Sequence, residues 1–215
     1  MQVIKEKYFT PFSIDAKAHE LLSLRPELSY RKELLFDIKY SALLVLDMQD
    51  FFLSGQSHAH VPSSEAIIPN IIKLIEKFED AGSPIVFTRH LNTPENAGMM
   101  SRWWRDILNK ENPLSEISSK FDSMKHEIIE KSQYDAFFNT KLNYFLKENE
   151  IKTVVICGVM THLCCETTAR SAFVNGYEVV FPVDTTATYN LEFHKSTLRN
   201  LSHGFAHLCT SGDLT

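Results

Sequence analysis

The sequence predicts an α/β fold: a three-layer, doubly wound, mostly parallel six-stranded sheet with helices on both faces. The first observation behind this prediction is that short apolar runs alternate with amphipathic segments along the chain. Such alternation is typical of parallel strands joined by right-handed helical crossovers. The second observation is size, because 215 residues, of which 44% are hydrophobic and 23% charged, suffice for one domain with a substantial core.

Residues 1–38 are predicted to form an N-terminal arm that packs on the core or on a second subunit. This part of the sequence contains Pro11 and Pro26 around a short helical candidate at 15–22, and it lacks a dense apolar pattern. The pattern then changes, and residues 39–215 are predicted to form the domain.

The predicted strands are short apolar runs bounded by polar or turn residues. The first and the fourth are uninterrupted apolar runs, which is typical of strands that are buried on both faces. The third is less apolar. The six strands are predicted at residues 42–46, 85–88, 127–131, 154–157, 178–182 and 206–209.

Helices are predicted in the connections between these strands. The longest, at 65–80, has a wide apolar face and ends at a Gly-Pro turn over 81–84. Shorter helices are predicted at 139–148 and 191–202. Another follows the fourth strand and carries two adjacent cysteines.

Charge and composition exclude several function classes. The formal net charge is −5 and the 22 basic residues are scattered, whereas nucleic acid or an anionic membrane surface requires clustered Lys and Arg. No apolar run approaches the roughly 18 residues of a membrane span, and the first residues lack the apolar core of a signal peptide. We therefore expect a cytoplasmic protein that acts on a small molecule, with no nucleic-acid or membrane partner.

The stretch after the fourth strand contains the candidate nucleophile. Thr161 can cap a helix that runs to about Gly176, which places Cys164 in the first helical turn. There the helix dipole and the free N–H groups favour a thiolate and lower the thiol pKa from about 8.5. A lone cysteine in this position can instead be a small buried core residue. The four cysteines fit no zinc spacing, and reduced thiols are expected.

Asp47, Lys131 and Cys164 each end or follow a predicted strand, and the carboxyl ends of parallel strands are where α/β sheets place their sites. Chemically the three are coherent, because a carboxylate can take a thiol proton, an ammonium can hold both ions and a thiolate can attack a carbonyl. Taken singly, Asp47 can be a turn residue and Lys131 a solvated charge at the sheet edge.

Three motifs, in their order and separation, resemble those of the isochorismatase-like cysteine hydrolases. They are Leu46-Asp47-Met48-Gln49-Asp50-Phe51-Phe52, Lys131-Ser132-Gln133-Tyr134-Asp135-Ala136-Phe137, and Gly158-Val159-Met160-Thr161-His162-Leu163-Cys164-Cys165 with Thr168 and Ala172. The resemblance covers about residues 41–214 and implies the same doubly wound fold. It also implies that Asp47 is the general base, Lys131 the electrostatic partner and Cys164 the nucleophile.

By the same resemblance, the bond between Val159 and Met160 is a non-proline cis peptide. The amides of Met160 and Cys164 are then expected to form an oxyanion hole. Cys165 is the rival nucleophile. The alignment of the motif favours Cys164, and successive helical residues point about 100° apart, so only one of the two thiols is expected to face the site.

The predicted reaction is hydrolysis of an amide-type C–N bond of a small molecule through a Cys thioester. The first alternative is an isochorismatase, which cleaves the vinyl ether of isochorismate to pyruvate and a dihydroxy-dihydrobenzoate. True isochorismatases are similar in the first two motifs but typically have Gly where Cys164 stands and Gln where His90 aligns. The second alternative is a non-catalytic binding or assembly module, which has no need of three charged or nucleophilic groups in one crevice.

A nicotinamidase is disfavoured at this point. Nicotinamidases of this superfamily carry an Asp and histidines arranged for a metal after the first motif, whereas this sequence has Phe51-Phe52-Leu53-Ser54 and a lone His90. The run His58-Ala59-His60 is a weak metal hint and is interpreted as solvated loop histidines. We therefore predict no cofactor and no metal site, and activity without added metal.

The long segment at 91–125 contains two methionines and two tryptophans, and we expect it to form part of the substrate pocket or a lid over it. Arg102 and Trp104 offer a cation and an apolar wall, or they pack the segment down. The candidate substrate-binding residues are Gln49, Phe52, His90, Arg102, Trp104, Tyr134 and Thr161.

The sequence also predicts a homo-oligomer, most simply a two-fold dimer. Large apolar side chains lie outside the predicted strands and main helices, where a monomer is expected to cover them only partly; they are Tyr8, Phe9, Phe12, Trp103 and Trp104. Aromatic residues are enriched in interfaces, and two-fold pairs are the commonest assembly. Either the arm or the segment 102–104 is expected to cross to the other subunit.

Overall fold

The computed structural model describes residues 3–26 and 34–214, and it contains a seven-stranded sheet in which every pair of neighbouring strands is parallel. The strands are β1 (Ser41–Leu46), β2 (Ile85–His90), β3 (Glu127–Lys131), β4 (Thr153–Val159), β5 (Glu178–Pro182), β6 (Thr186–Ala187) and β7 (His207–Cys209). Their order is β3-β2-β1-β4-β5-β7, and β6 pairs with β4. All six predicted strands are present, and the additional β6 has only two residues, which is too short to leave a pattern in the sequence.

The strand order reverses between β1 and β4, because the chain runs outward from β1 through β2 to β3 and then returns to the other side of β1. In open α/β sheets this switch point is where the connections diverge and leave a crevice beyond the carboxyl ends of the strands. The ends of β1 and β4 therefore define the place at which a site is expected.

Seven α-helices are described around this sheet. They are α1 (Ile14–Leu22), α2 (Asp50–Leu53), α3 (Ser64–Asp80), α4 (Met100–Trp103), α5 (Leu142–Glu148), α6 (Glu166–Val174) and α7 (Leu191–Gly204). Three short 3₁₀ turns lie at 38–40, 123–125 and 211–213. Among the described residues, no helix has both the length and the apolar character needed to cross a membrane.

Two predicted helix starts are wrong. Asn139 has a left-handed backbone, with φ at 54°, and cannot belong to a right-handed helix, so α5 begins at Leu142. The predicted cap at Thr161 is also absent: residues 161–165 form a turn of π-helix, and α6 begins only at Glu166. A π turn carries one extra residue relative to an α turn, which changes the direction of the side chains within it.

The core explains why these segments fold as they do. Every residue of β1 and β4 is buried, as uninterrupted apolar runs predict for the centre of a parallel sheet. The apolar face of α3 packs on this sheet, and its residues Ile67, Ile71, Leu74 and Phe78 are fully buried. Burying side chains of this size stabilises the fold by roughly 1.5–3 kcal/mol each.

The N-terminal arm packs on its own chain over the part of it that is described. Tyr8 and Phe9 are buried, as are Ile14 and Leu21 of α1. The expectation that a monomer covers Tyr8 and Phe9 only partly is therefore wrong, because contacts within one chain cover them. Residues 1, 2 and 27–33 of the predicted arm lie outside the described residues.

Gly158 holds the two central strands in close contact. Its φ is +111°, and a Cβ atom added there would lie 2.1 Å from the carbonyl oxygen of Leu46, the last residue of β1. We expect Gly158→Ala to lower the free energy of unfolding by at least about 2 kcal/mol, because both the backbone angle and the contact disfavour a side chain. Urea denaturation measures this. Gly55→Ala is the control, since its Cβ would meet no atom within 4 Å, and equal effects of the two variants would contradict this account.

Candidate active site

Three strand ends bring the predicted catalytic residues together. Asp47 follows β1, Lys131 ends β3, and Cys164 lies in the π turn that follows β4. The Nζ atom of Lys131 is 2.8 Å from Oδ2 of Asp47 and 3.4 Å from Sγ of Cys164. The side chains of Asp47 and Lys131 are completely buried, which excludes both the turn residue and the solvated edge charge considered from the sequence.

The Asp47 carboxylate is fixed by its neighbours. The hydroxyl of Thr88, on β2, donates a 2.5 Å hydrogen bond to Oδ1 of Asp47, and the Thr88 hydroxyl oxygen accepts a 3.1 Å bond from the Asp47 backbone amide. Asp47 has a φ of 52°, a left-handed backbone that Asp tolerates better than most residues. The turn ends β1 abruptly and directs the carboxylate to Lys131.

Lys131 is charged and held by three partners. Besides Asp47 and Cys164, its ammonium donates a 2.9 Å hydrogen bond to the carbonyl of Gln133. Burial alone lowers the pKa of a lysine, but the Asp47 carboxylate and Cys164 outweigh it and the pKa of Lys131 is raised. Burial likewise raises the pKa of Asp47, and the charge of Lys131 outweighs it, so that pKa is lowered. The pair is therefore ionised in the resting site.

Cys164 is a neutral thiol in the resting site, and the expectation of a lowered pKa is wrong. Burial raises its pKa strongly and the Asp47 carboxylate raises it further, whereas Lys131 lowers it. The start of α6 does not stabilise a thiolate, because Cys164 is buried within the π turn that precedes α6 rather than lying in the first turn of that helix. The Lys131 ammonium contacts both groups, at 2.8 Å from Asp47 and 3.4 Å from the thiol, so the Asp47 carboxylate is a base next to the pair.

The neighbouring thiols do not reach the site. Cys165 and Cys157 are completely buried, and the Sγ atom of Cys157 lies 3.5 Å from the carbonyl oxygen of Leu44 within the sheet. Burial raises the pKa of both. Cys164, by contrast, lines a cavity that opens beside the ends of the strands. The geometry thus favours Cys164 over its rival Cys165.

The cavity has mostly apolar and aromatic walls. Of the seven predicted substrate-binding residues, four line it: Phe52, His90, Trp104 and Tyr134. Met160 lines it as well, and the peptide bond between Val159 and Met160 is cis. The other lining residues are Phe51, His58, Ala59, Asn92, Met100, Arg105, Asp106, Leu108, Leu163, Cys164 and Tyr189.

Gln49, Arg102 and Thr161 do not line the cavity, so the structure does not place them at the substrate. Gln49 is completely buried, and its side-chain amide donates to the carbonyls of His90 and Ser115. Arg102 is exposed, because it lies two residues from the inward-facing Met100 in α4 and so points to the opposite side. Thr161 is buried, and its hydroxyl lies 3.1 Å from Nδ1 of His194, a residue of α7.

Two lining residues form a polar spot next to Lys131. His90 Nε2 lies 2.9 Å from Oδ1 of Asn92, and the amide of Asn92 donates to the carbonyl of Ser132 at 2.9 Å. Burial and the charge of Lys131 lower the pKa of His90 to about 4, so its ring is neutral at pH 7. Asn92 was not predicted, although its position two residues beyond the end of β2 is a signal that could have found it.

A tyrosine and a tryptophan meet at the mouth of the cavity. The indole Nε1 of Trp104 donates a 2.7 Å hydrogen bond to the hydroxyl of Tyr134, and their rings pack edge to face. Trp104 belongs to the long segment that follows β2, and Tyr134 follows β3. The segment at 91–125 therefore contributes to the pocket wall, as the sequence indicated.

Comparison with known proteins identifies the family. The model of the isochorismatase domain matches residues 41–213. The chain belongs to the isochorismatase family. Nicotinamidase 3 of Arabidopsis thaliana is 40% identical over 175 residues, which cover 79% of this chain and 84% of that protein. The isochorismatase-family enzymes to which the chain is similar are hydrolases, and this chain is a hydrolase of that family.

Solved structures agree with the fold. A cysteine hydrolase from Pseudomonas syringae superposes with a TM-score of 0.80 at 23% identity, over 85% of this chain and 93% of that one. The pyrazinamidase of Pyrococcus horikoshii, in complex with zinc, superposes with a TM-score of 0.69 at 28% identity, over 80% of this chain and 99% of that one. Two of these three similar proteins are thus named as a nicotinamidase and a pyrazinamidase.

In the described part of this isochorismatase-family protein, the side chains do not form a site for a metal ion such as the zinc in that pyrazinamidase structure. Within residues 3–26 and 34–214, no three His, Cys, Asp or Glu side chains form a group that could hold a metal. His58 and Asp106 both line the cavity, but the 3.6 Å approach of His58 Nδ1 to Asp106 Oδ2 pairs them with each other. His90 is engaged by Asn92.

Proposed function

We propose that this protein hydrolyses the C–N bond of a small carboxamide through a thioester on Cys164. The observation that carries the proposal is that the Cys164 thiol lines the cavity 3.4 Å from the Lys131 ammonium, which is itself 2.8 Å from the Asp47 carboxylate. A thiol in this environment needs a base at the moment of attack, and Asp47 is in position to act as one. A vinyl-ether cleavage makes no use of the thiol.

In the first half of the reaction, Asp47 takes the thiol proton while Sγ of Cys164 bonds to the amide carbon. Lys131 stays protonated, and its charge stabilises first the Asp47 carboxylate and then the negative charge that develops on Sγ. Asp47 then gives the proton to the amide nitrogen, the C–N bond breaks, and ammonia leaves a thioester behind. In the second half, Asp47 deprotonates a water molecule that attacks the thioester, and the carboxylic acid and the thiol are released.

The negative charge on the carbonyl oxygen needs hydrogen-bond donors. The backbone amides of Met160 and Cys164 are our proposed donors, because both residues border the cavity beside the thiol. Backbone donors fixed in this way stabilise a tetrahedral intermediate without reorganisation, and each typically contributes a factor of about 10² to 10³ in rate.

The walls favour a compact, uncharged substrate with an apolar or aromatic acyl group. Phe51, Phe52, Leu163, Trp104 and Tyr134 supply apolar and aromatic surface. The polar spot formed by His90 and Asn92 is neutral, and it suits a hydrogen-bonding ring atom or amide rather than a second charge. The relatives named above suggest nicotinamide and pyrazinamide as the first substrates to try.

A substrate screen tests this proposal. Ammonia release from nicotinamide, pyrazinamide and benzamide, and pyruvate release from isochorismate, would be measured with the wild type and with Cys164→Ala. We expect ammonia and the matching acid from at least one carboxamide, and none from the variant. Pyruvate release that survives in Cys164→Ala would instead establish the vinyl-ether reaction, and no turnover of any of the three carboxamides would contradict the proposed substrate class.

The same screen includes a metal test. We expect wild-type turnover to be unchanged after dialysis against a chelator, because the described cavity residues form no ligand set for a metal. Inactivation by the chelator that added zinc reverses would contradict this expectation.

We further propose that the protein is cytoplasmic and that it forms a homo-oligomer. Phe12 and Trp103 support the oligomer, because both remain largely exposed when one chain is considered alone. With Tyr8 and Phe9 covered by their own chain, a segment near α4 is the stronger candidate for the contact.

A further inference from the structure

The segment of residues 3–10, here called the N-terminal strap, lies outside the matched family domain and yet contacts two loops that line the cavity. It has no helix or strand of its own. One loop carries His58 and Ala59, and the other carries Tyr189. These loops are more than a hundred residues apart in the sequence, so the strap is a connection that the family domain does not supply.

Lys5 holds the first loop. Its ammonium donates hydrogen bonds to the backbone carbonyls of His58 at 2.5 Å and His60 at 3.0 Å. Bonds from a charged donor to a carbonyl are stronger than neutral ones, and two carbonyls on one ammonium define the position of the loop. Ala59, between the two carbonyls, faces the cavity.

The same stretch of the strap holds the second loop. The ammonium of Lys5 lies 4.2 Å from the centroid of the Tyr189 ring, a cation–π contact. The amide of the next residue, Glu6, donates a 2.7 Å hydrogen bond to the carbonyl of Tyr189, and its carboxylate accepts a bond from the amide of Leu191 at 3.1 Å. One residue, Lys5, therefore contacts both walls.

The far end of the strap is anchored in the core. The hydroxyl of Tyr8 accepts a 2.9 Å hydrogen bond from the amide of Thr188 and lies 3.1 Å from His194 Nδ1. The amide of Phe9 donates to the hydroxyl of Ser63 at 3.0 Å. Because Tyr8 and Phe9 fix this end, only the part of the strap that contains Lys5 can move, and that part contacts the two loops.

We propose that Lys5 is a positioning residue that fixes the distance between the wall at His58 and Ala59 and the wall at Tyr189, and so limits the size of the acyl group that the cavity accepts. Lys5 does not line the cavity and touches no reacting atom. It acts through the loops that it joins. The inference rests on the proposed function for its kinetic test, while its labelling test depends only on access to Cys164.

Three variants of the full chain test the role of Lys5. Lys5→Met keeps the apolar stem and removes the ammonium, and Lys5→Arg keeps a donor that can serve two carbonyls. Lys7→Met is the matched control, because Lys7 lies on the same strap but pairs with Glu65 at 3.2 Å and contacts neither wall. Both lysines are on the surface, so each of the three variants is expected to fold.

The kinetic test compares benzamide with a ring-substituted, bulkier benzamide, or the best carboxamide with its bulkier analogue. For Lys5→Met we expect KM of the smaller substrate to rise about tenfold with kcat changed less than about twofold, and discrimination against the bulkier one to fall about tenfold. Lys5→Arg should retain most of the wild-type selectivity, and Lys7→Met all of it. Equal behaviour of Lys5→Met and Lys7→Met, or a loss in kcat alone, would overturn the proposal.

The labelling test needs no turnover. Rates of alkylation of Cys164 by iodoacetamide and by N-phenyliodoacetamide would be measured by peptide mass spectrometry. We expect the ratio of the alkylation rate with iodoacetamide to the rate with N-phenyliodoacetamide to fall at least about threefold in Lys5→Met. The same ratio should stay unchanged in Lys7→Met. An unchanged ratio in Lys5→Met overturns the proposal even where amide hydrolysis is found.

Discussion

Replacing Cys164 by alanine is expected to lower kcat for a carboxamide at least about 10³-fold, equivalent to about 4 kcal/mol of barrier. The reason is that the proposed thioester cannot form without Sγ, while the cavity walls and the ion pair of Asp47 and Lys131 remain. The matched control is Cys165→Ala, the same substitution one position later at a completely buried thiol that does not line the cavity. Steady-state kinetics of both variants would be compared with the wild type.

Cys165→Ala is expected to retain activity within about threefold, although removal of a buried sulfur can lower stability. The opposite ranking, in which Cys165→Ala is inactive and Cys164→Ala is not, would assign the nucleophile to Cys165. Comparable activity in both variants and in the wild type would remove the thiol from the reaction altogether.

Replacing Asp47 by asparagine is expected to have an effect of similar size on kcat, and a second effect on stability. Asparagine keeps the shape of the side chain but can neither accept the thiol proton nor balance the charge of Lys131. An unpaired buried ammonium costs roughly 3–5 kcal/mol, so the free energy of unfolding of Asp47→Asn should fall by about that amount. Both quantities, kcat and the midpoint of urea denaturation, would be measured.

A double variant separates the two effects. In Asp47→Asn with Lys131→Met, no buried charge is left unpaired, so stability should recover to near the wild-type value while activity stays absent. Activity that returned together with stability would show that Asp47 only supports the fold. Retention of more than about a tenth of wild-type kcat in the single variant, a loss of only about 1.4 kcal/mol in barrier, would contradict its role as the base.

The convergence of the three candidate catalytic residues could be predicted because a parallel sheet makes its geometry simple. An apolar run shows where a strand ends, and the ends of neighbouring parallel strands meet at one edge, so Asp47, Lys131 and Cys164 converge although they are far apart in the sequence. The family motifs then assign a role to each. Neither argument requires knowledge of how side chains pack.

The protonation state of Cys164 could not be predicted in this way. Its pKa depends on how deeply tertiary packing buries the thiol and on its contact with Asp47, neither of which the local sequence shows. The π turn that carries it also differs from the predicted α-helical start at Thr161.

The pocket and the arm were predicted only in part for the same reason. Gln49 turns inward because its partners, the carbonyls of His90 and Ser115, come from distant segments. Tyr8 is covered because it contacts Thr188 and His194 at the other end of the chain. Contacts of this kind leave no periodic pattern in the sequence. A prediction from sequence therefore places such residues in the substrate pocket or in a subunit interface.

The proposed thioester can be observed directly. Wild-type protein mixed with an excess of the best carboxamide would be quenched in acid within the first turnovers, digested and mapped by mass spectrometry. The account predicts that the peptide containing Cys164 gains the mass of the acyl group, that hydroxylamine removes it, and that the Asp47→Asn variant does not acquire it. Steady turnover with no acyl group on Cys164 at any quench time, or an acyl group on another residue, would contradict the account.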